Sequence, residues 1–286
     1  MAWTLTDDLD GFLARAGGFL RADPVANTVP LTVTESMRVQ GPGLFGEALL
    51  GWWTEGGRVA GACLWTGAHP PMLSAMPEAA AAELAETLAG RGAAVSGING
   101  APEAAAAFAD AWTKRTGAAS TVAMRQRLYR LGRLDAPAPP PEGTARVAGG
   151  ADRGLAMEWF TAFYADAGEP RRANPGLVDG RIAAGGVVFW EIGARPVAMA
   201  GRTEVVAGMA RVAPVYTPPE HRRRGYGAAV TAAVTQGALD AGAEHVVLFT
   251  DLANPTSNGI YRRLGYRPVE DRVVLGFTPP PGGRLT

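Results

Sequence analysis

The chain has 286 residues, enough for one large or two ordinary domains, and its 27 lysines and arginines balance its 27 aspartates and glutamates. This balance argues against nucleic acid or an anionic membrane surface as a partner, and no apolar run reaches membrane-spanning length. The single cysteine, Cys63, excludes an internal disulfide framework and, with no signal-peptide pattern over residues 1–8, predicts a cytoplasmic protein.

The first half of the sequence predicts strands that alternate with helices. Apolar segments at 49–53 and 58–66 flank a turn that contains Gly56 and Gly57, which predicts a hairpin. The elements that follow are predicted as a strand at 71–75, a helix at 78–89, a strand at 93–98, a helix at 102–116 and a strand at 120–131. Gly117 ends the second of these helices. The order predicts a sheet flanked by helices.

A proline-rich segment interrupts this pattern at 136–143. Such a composition favours an extended, semi-rigid chain. We therefore predict a linker there, between a first domain at 1–135 and a second at 144–286. A long surface loop inside a single domain is the alternative.

After this segment, strands and helices alternate again. The predicted elements are a strand at 144–148, a helix at 153–165, strands at 187–192, 196–202 and 209–216, a helix at 228–241, a strand at 245–250, a helix after Asn254 and a strand at 269–277. Two prolines within 217–220 break the pairing of the strand before them, because proline has no backbone donor. The prolines and glycines at 279–283 are expected to end the fold.

A glycine-rich turn joins the apolar strand at 209–216 to the alanine-rich helix at 228–241. Its sequence is Arg-Arg-Arg-Gly-Tyr-Gly at 222–227. Backbone N–H groups at such a helix start, with the helix dipole behind them, form a cradle for phosphate or pyrophosphate. The glycines let the anion come close, and flanking arginines can bind outer phosphates. An ordinary tight turn with solvated arginines is the alternative.

A second motif follows the next predicted strand and consists of Asn254, Ser257, Tyr261, Gly265 and Tyr266. Together with the glycine-rich turn, it resembles the GNAT superfamily of acyl-CoA-dependent N-acetyltransferases. The first signature of that superfamily is Arg/Gln-x-x-Gly-x-Gly/Ala, and the second is an Asn, a small residue three positions on, a Tyr seven positions on, then Gly and an aromatic residue. The matching residues are Arg222, Gly225 and Gly227 for the first, and Asn254, Ser257, Tyr261, Gly265 and Tyr266 for the second. Both occur in the expected order with a helix and a strand between them.

The resemblance implies an α/β (α+β) fold with two GNAT-like domains, each with a mixed, mostly antiparallel central sheet flanked by helices. The first half repeats the element order of the second only faintly. Where the cradle would lie, it has Met76-Pro77-Glu78, without a glycine pair and with a carboxylate that would repel pyrophosphate. We interpret the first half as a degenerate domain that does not bind CoA.

The resemblance also implies acetyl-CoA as co-substrate. The cradle would bind the pyrophosphate through its backbone, the strand before it would pair with the pantetheine amides and polarise the thioester oxygen, and Asn254 would bond the pantetheine arm. Helix capping is an alternative or additional role for Asn254. The residues expected to bind acetyl-CoA are Ala213, Val215, Tyr216, Arg222, Arg223, Arg224, Gly225, Tyr226, Gly227, Ala228, Asn254 and Ser257. No metal site is predicted, because the histidines His69, His221 and His245 lie far apart.

Tyr261 is the predicted general acid. A phenol with an ordinary pKa of about 10 could donate a proton to a thiolate with a pKa of about 8.5. A tyrosine that only packs in the core is the alternative.

The general base is less well defined, because the strand at 209–216 contains no acid. Glu204 and Glu191 are the nearest candidates, and each is otherwise a solvated carboxylate at a strand edge. A water chain to backbone carbonyls would suffice for an α-amine with a pKa near 8. Asp166 and Glu169 lie in the loop expected to border the acceptor site and could attract a cationic amine, although a plain solvated loop is the simpler interpretation.

These patterns predict an acyltransferase that moves acetyl directly from acetyl-CoA to an unidentified amine, either a small molecule, a peptide or a protein N-terminus. A mycothiol-synthase-like enzyme, which also has tandem halves, is one alternative. A non-catalytic acyl-CoA-binding regulatory module is another, favoured by the missing strand glutamate. Nucleic-acid binding by residues 222–224 has no support from interleaved aromatic residues.

Overall fold

The computed structural model describes residues 2–67, 69–169 and 171–280, so the end of the predicted second domain, 281–286, lies outside the described residues. Its helices and strands, in chain order, are β1 (Ala2–Thr6), α1 (Leu9–Ala22), α2 (Thr28–Gln40), β2 (Ala48–Glu55), β3 (Arg58–Thr66), β4 (Met72–Leu73), α3 (Glu78–Gly90), β5 (Gly97–Gly100), α4 (Pro102–Thr116), β6 (Ala119–Leu131), β7 (Thr144–Val147), α5 (Arg153–Asp166), α6 (Pro175–Ala183), β8 (Val187–Ile192), β9 (Arg195–Arg202), β10 (Met209–Tyr216), α7 (Tyr226–Asp240), β11 (His245–Asp251), α8 (Pro255–Arg263) and β12 (Tyr266–Thr278).

Most predicted elements are present, and three kinds of difference occur. No element was predicted over β1, α1, α2 or α6. The predicted strand at 71–75 is reduced to β4, which has two residues. The predicted strand at 93–98 was wrong in position: the chain over 93–96 makes a turn after α3, where the N–H of Ala93 bonds the carbonyl of Leu88, and pairing begins only at Gly97.

The chain divides by its internal contacts into two compact units. Unit 1 contains the chain up to Leu128, the short stretch Asp251–Ala253 and the chain from Val269 onward, and unit 2 contains Tyr129–Thr250 and Asn254–Pro268. These units are discontinuous in sequence, whereas the predicted domains at 1–135 and 144–286 are continuous. The domain boundaries therefore stay a prediction.

Unit 1 contains a mixed, mostly antiparallel sheet with the strand order β1-β2-β3-β4-β5-β12. Every pair is antiparallel except β4 with β5. Helices α3 and α4 supply most of the core, in which Phe108, Trp112 and Phe277 stack with ring centroids 5.9 to 6.1 Å apart. Glu78 is the first residue of α3, so a carboxylate lies at the positive end of that helix.

Cys63 lies on β3 in this core and is 3% exposed. Burial raises the pKa of its thiol to about 12, so almost no thiolate exists at neutral pH. We therefore expect the native protein to react with a disulfide reagent at least about 100-fold more slowly than the protein unfolded in guanidinium. Following the absorbance of the released aromatic thiol measures both rates. Similar rates would contradict the buried position of Cys63.

Unit 2 also contains a mixed, mostly antiparallel sheet, with the strand order β11-β10-β9-β8-β7. Only β10 and β11 run parallel. Helix α7 packs its apolar side, including Val230 and Val234, on one face of the sheet. Helices α5 and α6 cover the other face, where Trp159, Phe160 and Val178 join its core. The predicted fold class is confirmed for both units. Within the described ranges, no helix is long and apolar enough to cross a membrane.

Candidate functional site

The two parallel strands of unit 2 separate toward their carboxyl ends. β10 and β11 pair only from Met209 to Arg211, opposite residues 245–247, although β10 continues to Tyr216. Beyond Arg211, the edge of β10 that would face β11 carries no ladder partner on that strand. Unpaired strand edges bind extended chains through backbone hydrogen bonds. The opening between the strands is therefore suited to an extended, amide-containing ligand.

A β-bulge reshapes β10 at this opening. The pairing of β10 with β9 shifts between Val212 and Val215, so Ala213 and Pro214 together oppose Gly201. A Cβ atom on Gly201 would lie 3.0 Å from the Ala213 carbonyl oxygen, and that oxygen accepts a hydrogen bond from Arg181. The Ala213 carbonyl therefore belongs to the face covered by α5 and α6. Of the pantetheine contacts predicted for Ala213, only its N–H group remains available.

The glycine-rich turn forms the start of α7 in the way that an anion cradle requires. Gly225 adopts the left-handed conformation at the helix N-cap, with φ of 84°, and no side chain caps the helix. The carbonyl of Gly225 accepts from the N–H groups of residues 228 and 229. The N–H groups of Gly225, Tyr226 and Gly227 have no acceptor in the described part of the chain. Three backbone donors thus lie at the positive end of the helix dipole.

Arg222 and the two arginines after it have different environments. The Arg222 guanidinium donates to the Thr217 carbonyl oxygen at 2.9 Å and to the Asp166 carboxylate, so it holds the loop in place. Arg223 and Arg224 are exposed, and neither forms an ion pair with any residue that the structure describes. Arg223 also has a positive φ of 63°, an uncommon conformation outside glycine. Arg223 and Arg224 remain available for outer phosphates.

Asn254 caps α8, as one of the two predicted interpretations states. Its side-chain oxygen accepts from the Ser257 N–H at 3.0 Å, and the residue is exposed. Its amide group has no acceptor among the residues at 2–67, 69–169 and 171–280. The cap fixes the side chain and leaves that N–H₂ group available to a ligand.

Tyr261 is buried on the inner side of α8. It is 9% exposed and packs edge-on against Tyr266, with ring centroids 6.2 Å apart. Burial raises the pKa of Tyr261 to about 12, and a hydrogen bond with Ser257 acts in the opposite direction. The expectation of an ordinary phenol pKa was therefore wrong, because sequence position alone does not show how far the hydroxyl is removed from water.

The structure brings neither predicted base to the cradle. Glu204 is exposed and precedes the bridge between Val206 and Met209, at the amino end of β10. The cradle follows the carboxyl end of that strand, roughly 24 Å away along a strand of this length. Glu191 on β8 accepts from Arg146 at 2.7 Å. The role of Glu204 stays a prediction.

The carboxylates of the loop after α5 are paired with arginines, whereas the sequence predicted that they could be free to attract a cationic amine. Asp166 bonds Arg222, and Glu169 lies 3.5 Å from Arg171. Arg181 and Arg211, which both lie on the face covered by α5 and α6, were not among the predicted site residues. Arg211 carried a usable signal, because it is the one charged residue in the apolar segment 209–216. Arg181 carried none, because α6 was not predicted.

A known family model matches the part of the chain that contains most of the predicted site residues. The model of the family described as FR47-like protein matches residues 195–275, which include β9, β10, the cradle, Asn254 and Tyr261. No curated protein matches the chain.

Solved structures match over longer stretches. The chain is similar to a GCN5-related N-acetyltransferase from Kribbella flavida, with 26% identity, a TM-score of 0.54 and coverage of 76% of this chain and 86% of that chain. A GCN5-related N-acetyltransferase from Sphaerobacter thermophilus has 16% identity, a TM-score of 0.62 and coverage of 97% and 96%. A tandem GNAT protein from the clavulanic acid biosynthesis pathway has 14% identity, a TM-score of 0.56 and coverage of 97% and 98%. The last two likenesses concern the fold.

Proposed function

Because this chain belongs to the GNAT superfamily, we propose that it is an acetyl-CoA-dependent N-acetyltransferase that moves acetyl directly to an amine in a ternary complex. One observation carries the proposal: the separated ends of β10 and β11 lie beside a helix start with three unsatisfied backbone donors in the described chain. An extended pantetheine arm suits the first feature, and a pyrophosphate suits the second.

In this proposal, unit 2 binds acetyl-CoA largely through its backbone. The N–H groups of Gly225, Tyr226 and Gly227 bind the pyrophosphate, with Ala228 completing the first turn of α7. Arg223 and Arg224 bind outer phosphates by charge-assisted hydrogen bonds, and Arg222 positions the loop through Asp166. The N–H of Ala213, the backbone of Val215 and Tyr216 and the amide of Asn254 bond the pantetheine arm.

The reaction needs no covalent enzyme intermediate. The amine nitrogen attacks the thioester carbonyl carbon, the carbon–nitrogen bond forms, and the carbon–sulfur bond breaks. The amine loses one proton and the departing thiolate gains one. Holding the two reactants side by side supplies a large part of the rate, because it converts a bimolecular step into a local one.

Tyr261 is the proposed donor to the departing sulfur. Its raised pKa of about 12 keeps the phenol protonated throughout the neutral range, so the donor form is the populated one. A free CoA thiol has a pKa of about 8.5, so complete transfer to it would cost roughly 5 kcal/mol. Tyr261 therefore acts chiefly by a hydrogen bond to the negative charge that develops on sulfur, while the proton lost by the amine balances the one that the thiolate gains.

The proton acceptor is proposed to be water. β10 contains no acid, and Glu204 lies toward its other end. Water that leads to backbone carbonyls suffices for an amine with a pKa near 8, as an α-amine has. The missing acid on β10 also favours the second candidate function, an acyl-CoA-binding module without turnover. A mycothiol-synthase-like activity is the third candidate, and its acceptor belongs in the same screen.

We expect isothermal titration to give one acetyl-CoA per chain, bound in unit 2, because unit 1 has Glu78 at the start of α3 in place of a cradle. The matching activity measurement follows thiol release from acetyl-CoA with a panel of amines, against a reaction without amine. Two equivalent sites would contradict the degenerate first half. Binding of acetyl-CoA without release of the thiol for any amine in the panel would support the non-catalytic regulatory module.

A further inference from the structure

Three arginines gather around Tyr164 on the face of unit 2 that α5 and α6 cover. The Arg171 guanidinium lies 3.7 Å from the centre of the Tyr164 ring. Arg181 of α6 and Arg211 of β10 each interact electrostatically with Tyr164. We call Arg171, Arg181 and Arg211 the arginine cluster. Its members come from a loop, a helix and a strand, so the fold assembles it.

Arg181 is fixed at the bulge of β10. Its guanidinium donates to the Ala213 carbonyl oxygen and lies 5.4 Å from the centre of the Phe160 ring. One of its nitrogens is 3.4 Å from the position that a Cβ on Gly201 would take. The absence of a side chain at residue 201 thus makes room for the guanidinium over the sheet. Arg211 precedes Ala213 by two residues on the same strand.

Arg181 and Arg211 are both half-buried. Both residues keep part of their surface accessible, so they are not sealed in the core. Burial nevertheless lowers the pKa of Arg181, and burial together with the neighbouring Arg181 lowers the pKa of Arg211 to about 10. Groups that are removed from bulk water and yet reachable are what a ligand-binding cleft presents.

The carboxylates of the loop after α5 already have arginine partners. Asp166 bonds Arg222, and Glu169 pairs with Arg171. Across the described residues, Arg181 forms no salt bridge with a carboxylate. A buried guanidinium without an anion destabilises a protein, and an anionic ligand removes that penalty when it binds.

We infer that the acetyl acceptor is an amine that also carries a carboxylate close to the reacting nitrogen, as an amino acid does, and that Arg181 and Arg211 bind this carboxylate. The inference rests on the proposed function. Arg181 contacts Ala213, whose N–H lies on the β10 segment proposed to hold the thioester end of acetyl-CoA. An anion bound there is only a few bonds from the amine that must reach the thioester. The planar guanidinium matches a carboxylate with two parallel hydrogen bonds.

The same charges help the chemistry. Nearby cations disfavour the ammonium form of the acceptor, so the neutral, nucleophilic amine is populated at a lower pH than in water. β10 contains no acid that could take the proton from the amine. A lowered ammonium pKa compensates for this, because the amine can lose its proton to water before it attacks the thioester. The same charges would repel a purely cationic amine, whereas a carboxylate on the acceptor would offset this repulsion.

The test compares amines that differ only in the carboxylate. Glycine, L-alanine and L-glutamate are assayed by thiol release against glycinamide, L-alaninamide and aminomethylphosphonate, each at equal concentration of neutral amine. We expect at least tenfold higher kcat/KM for the carboxylates than for the carboxamides. Arg181→Gln and Arg211→Gln should each lower kcat/KM for carboxylates at least tenfold, mainly through KM, and change carboxamides less than threefold.

Two further variants separate a lost contact from a damaged fold. Arg181→Lys keeps the charge and loses the planar fork, so it should retain part of the preference. Arg58→Gln removes an exposed arginine at the start of β3 in unit 1 and should leave the preference unchanged. Acetyl-CoA affinity by calorimetry should stay within threefold of wild type in every variant.

Affinity for acetyl-CoA also separates the two proposals. A protein that does not bind acetyl-CoA would refute the proposed function. A protein that binds it but acetylates carboxamides or the phosphonate as well as carboxylates, or keeps its preference in Arg181→Gln, would overturn the carboxylate site alone. If no amine of the panel is acetylated, N-acetylglycine and N-acetyl-L-glutamate are titrated in the presence of CoA. Failure of both to bind would likewise overturn the inference.

Discussion

Gly227→Glu is expected to lower the affinity for acetyl-CoA at least about 100-fold, a loss of roughly 2.7 kcal/mol. Gly227 lies in the first turn of α7 beside the unsatisfied donors, so the new carboxylate would occupy the proposed pyrophosphate position. Two like charges at about 4 Å near a protein surface repel by about 4 kcal/mol, which is more than the loss we expect.

The fold should survive this change. Gly227 does not need a positive φ, and a Cβ there would lie 3.4 Å from the Thr217 hydroxyl, which can move slightly. A glutamate in the first turn also favours the helix dipole by a few tenths of a kcal/mol. Gly225→Glu would be a weaker experiment, because Gly225 has φ of 84° and any side chain there is strained.

Calorimetric titration with acetyl-CoA and the thermal unfolding midpoint measure the two parts of this prediction. Gly237→Glu is the matched control, because it adds the same charge to the last turn of α7, in open space. It should leave the affinity unchanged. An unaltered affinity in Gly227→Glu would place the phosphates elsewhere.

Tyr261→Phe is expected to lower kcat by about 10²–10³-fold, or roughly 3–4 kcal/mol of barrier, with little change in KM. The substitution keeps the ring that packs on Tyr266 and removes only the hydroxyl. In the wild type, the raised pKa of about 12 keeps the donor form populated as the pH rises past 10. The pH profile of kcat should therefore show no loss from phenol ionisation below about pH 11.

The control for Tyr261 is Tyr266→Phe. The Tyr266 hydroxyl is also buried and lies 2.7 Å from the Thr235 hydroxyl, away from the proposed reaction. Its removal should cost about 1 kcal/mol of stability and leave kcat nearly unchanged. Turnover of Tyr261→Phe within threefold of wild type, where chemistry limits the rate, would mean that Tyr261 is a core residue and that another donor serves the thiolate.

The motifs were predictable because they depend on local backbone chemistry. A glycine that needs a positive φ at residue 225, prolines that stop β10 and an asparagine that caps α8 each act within a few residues of the chain. Helix α2 was missed for the opposite reason. It contains Pro30 and several β-branched residues of low helix propensity, and buried side chains such as Leu31 and Met37 hold it in place through tertiary packing.

The environment of the site could not be predicted, because it depends on contacts between distant residues. Arg181 and Ala213 are 32 positions apart, and their contact depends on a β-bulge in β10 that no local sequence pattern predicts. The pKa of Tyr261 depends on how α8 packs over its sheet. An arginine in an apolar strand can be recognised from the sequence as unusual, but its partners and its role can be identified only from the folded structure.

The place of β12 in unit 1 has a consequence for biosynthesis. Residues Val273 to Gly276 pair with β5, and Phe277 stacks on Phe108 and Trp112. Ribosomes synthesise all of unit 2 before they reach Val273. Until it emerges, β5 has an open edge, and the aromatic core of unit 1 lacks one of its three rings. Translation therefore leaves the first unit unfinished until its last strand is made, and an exposed edge of this kind is what chaperones protect on nascent chains.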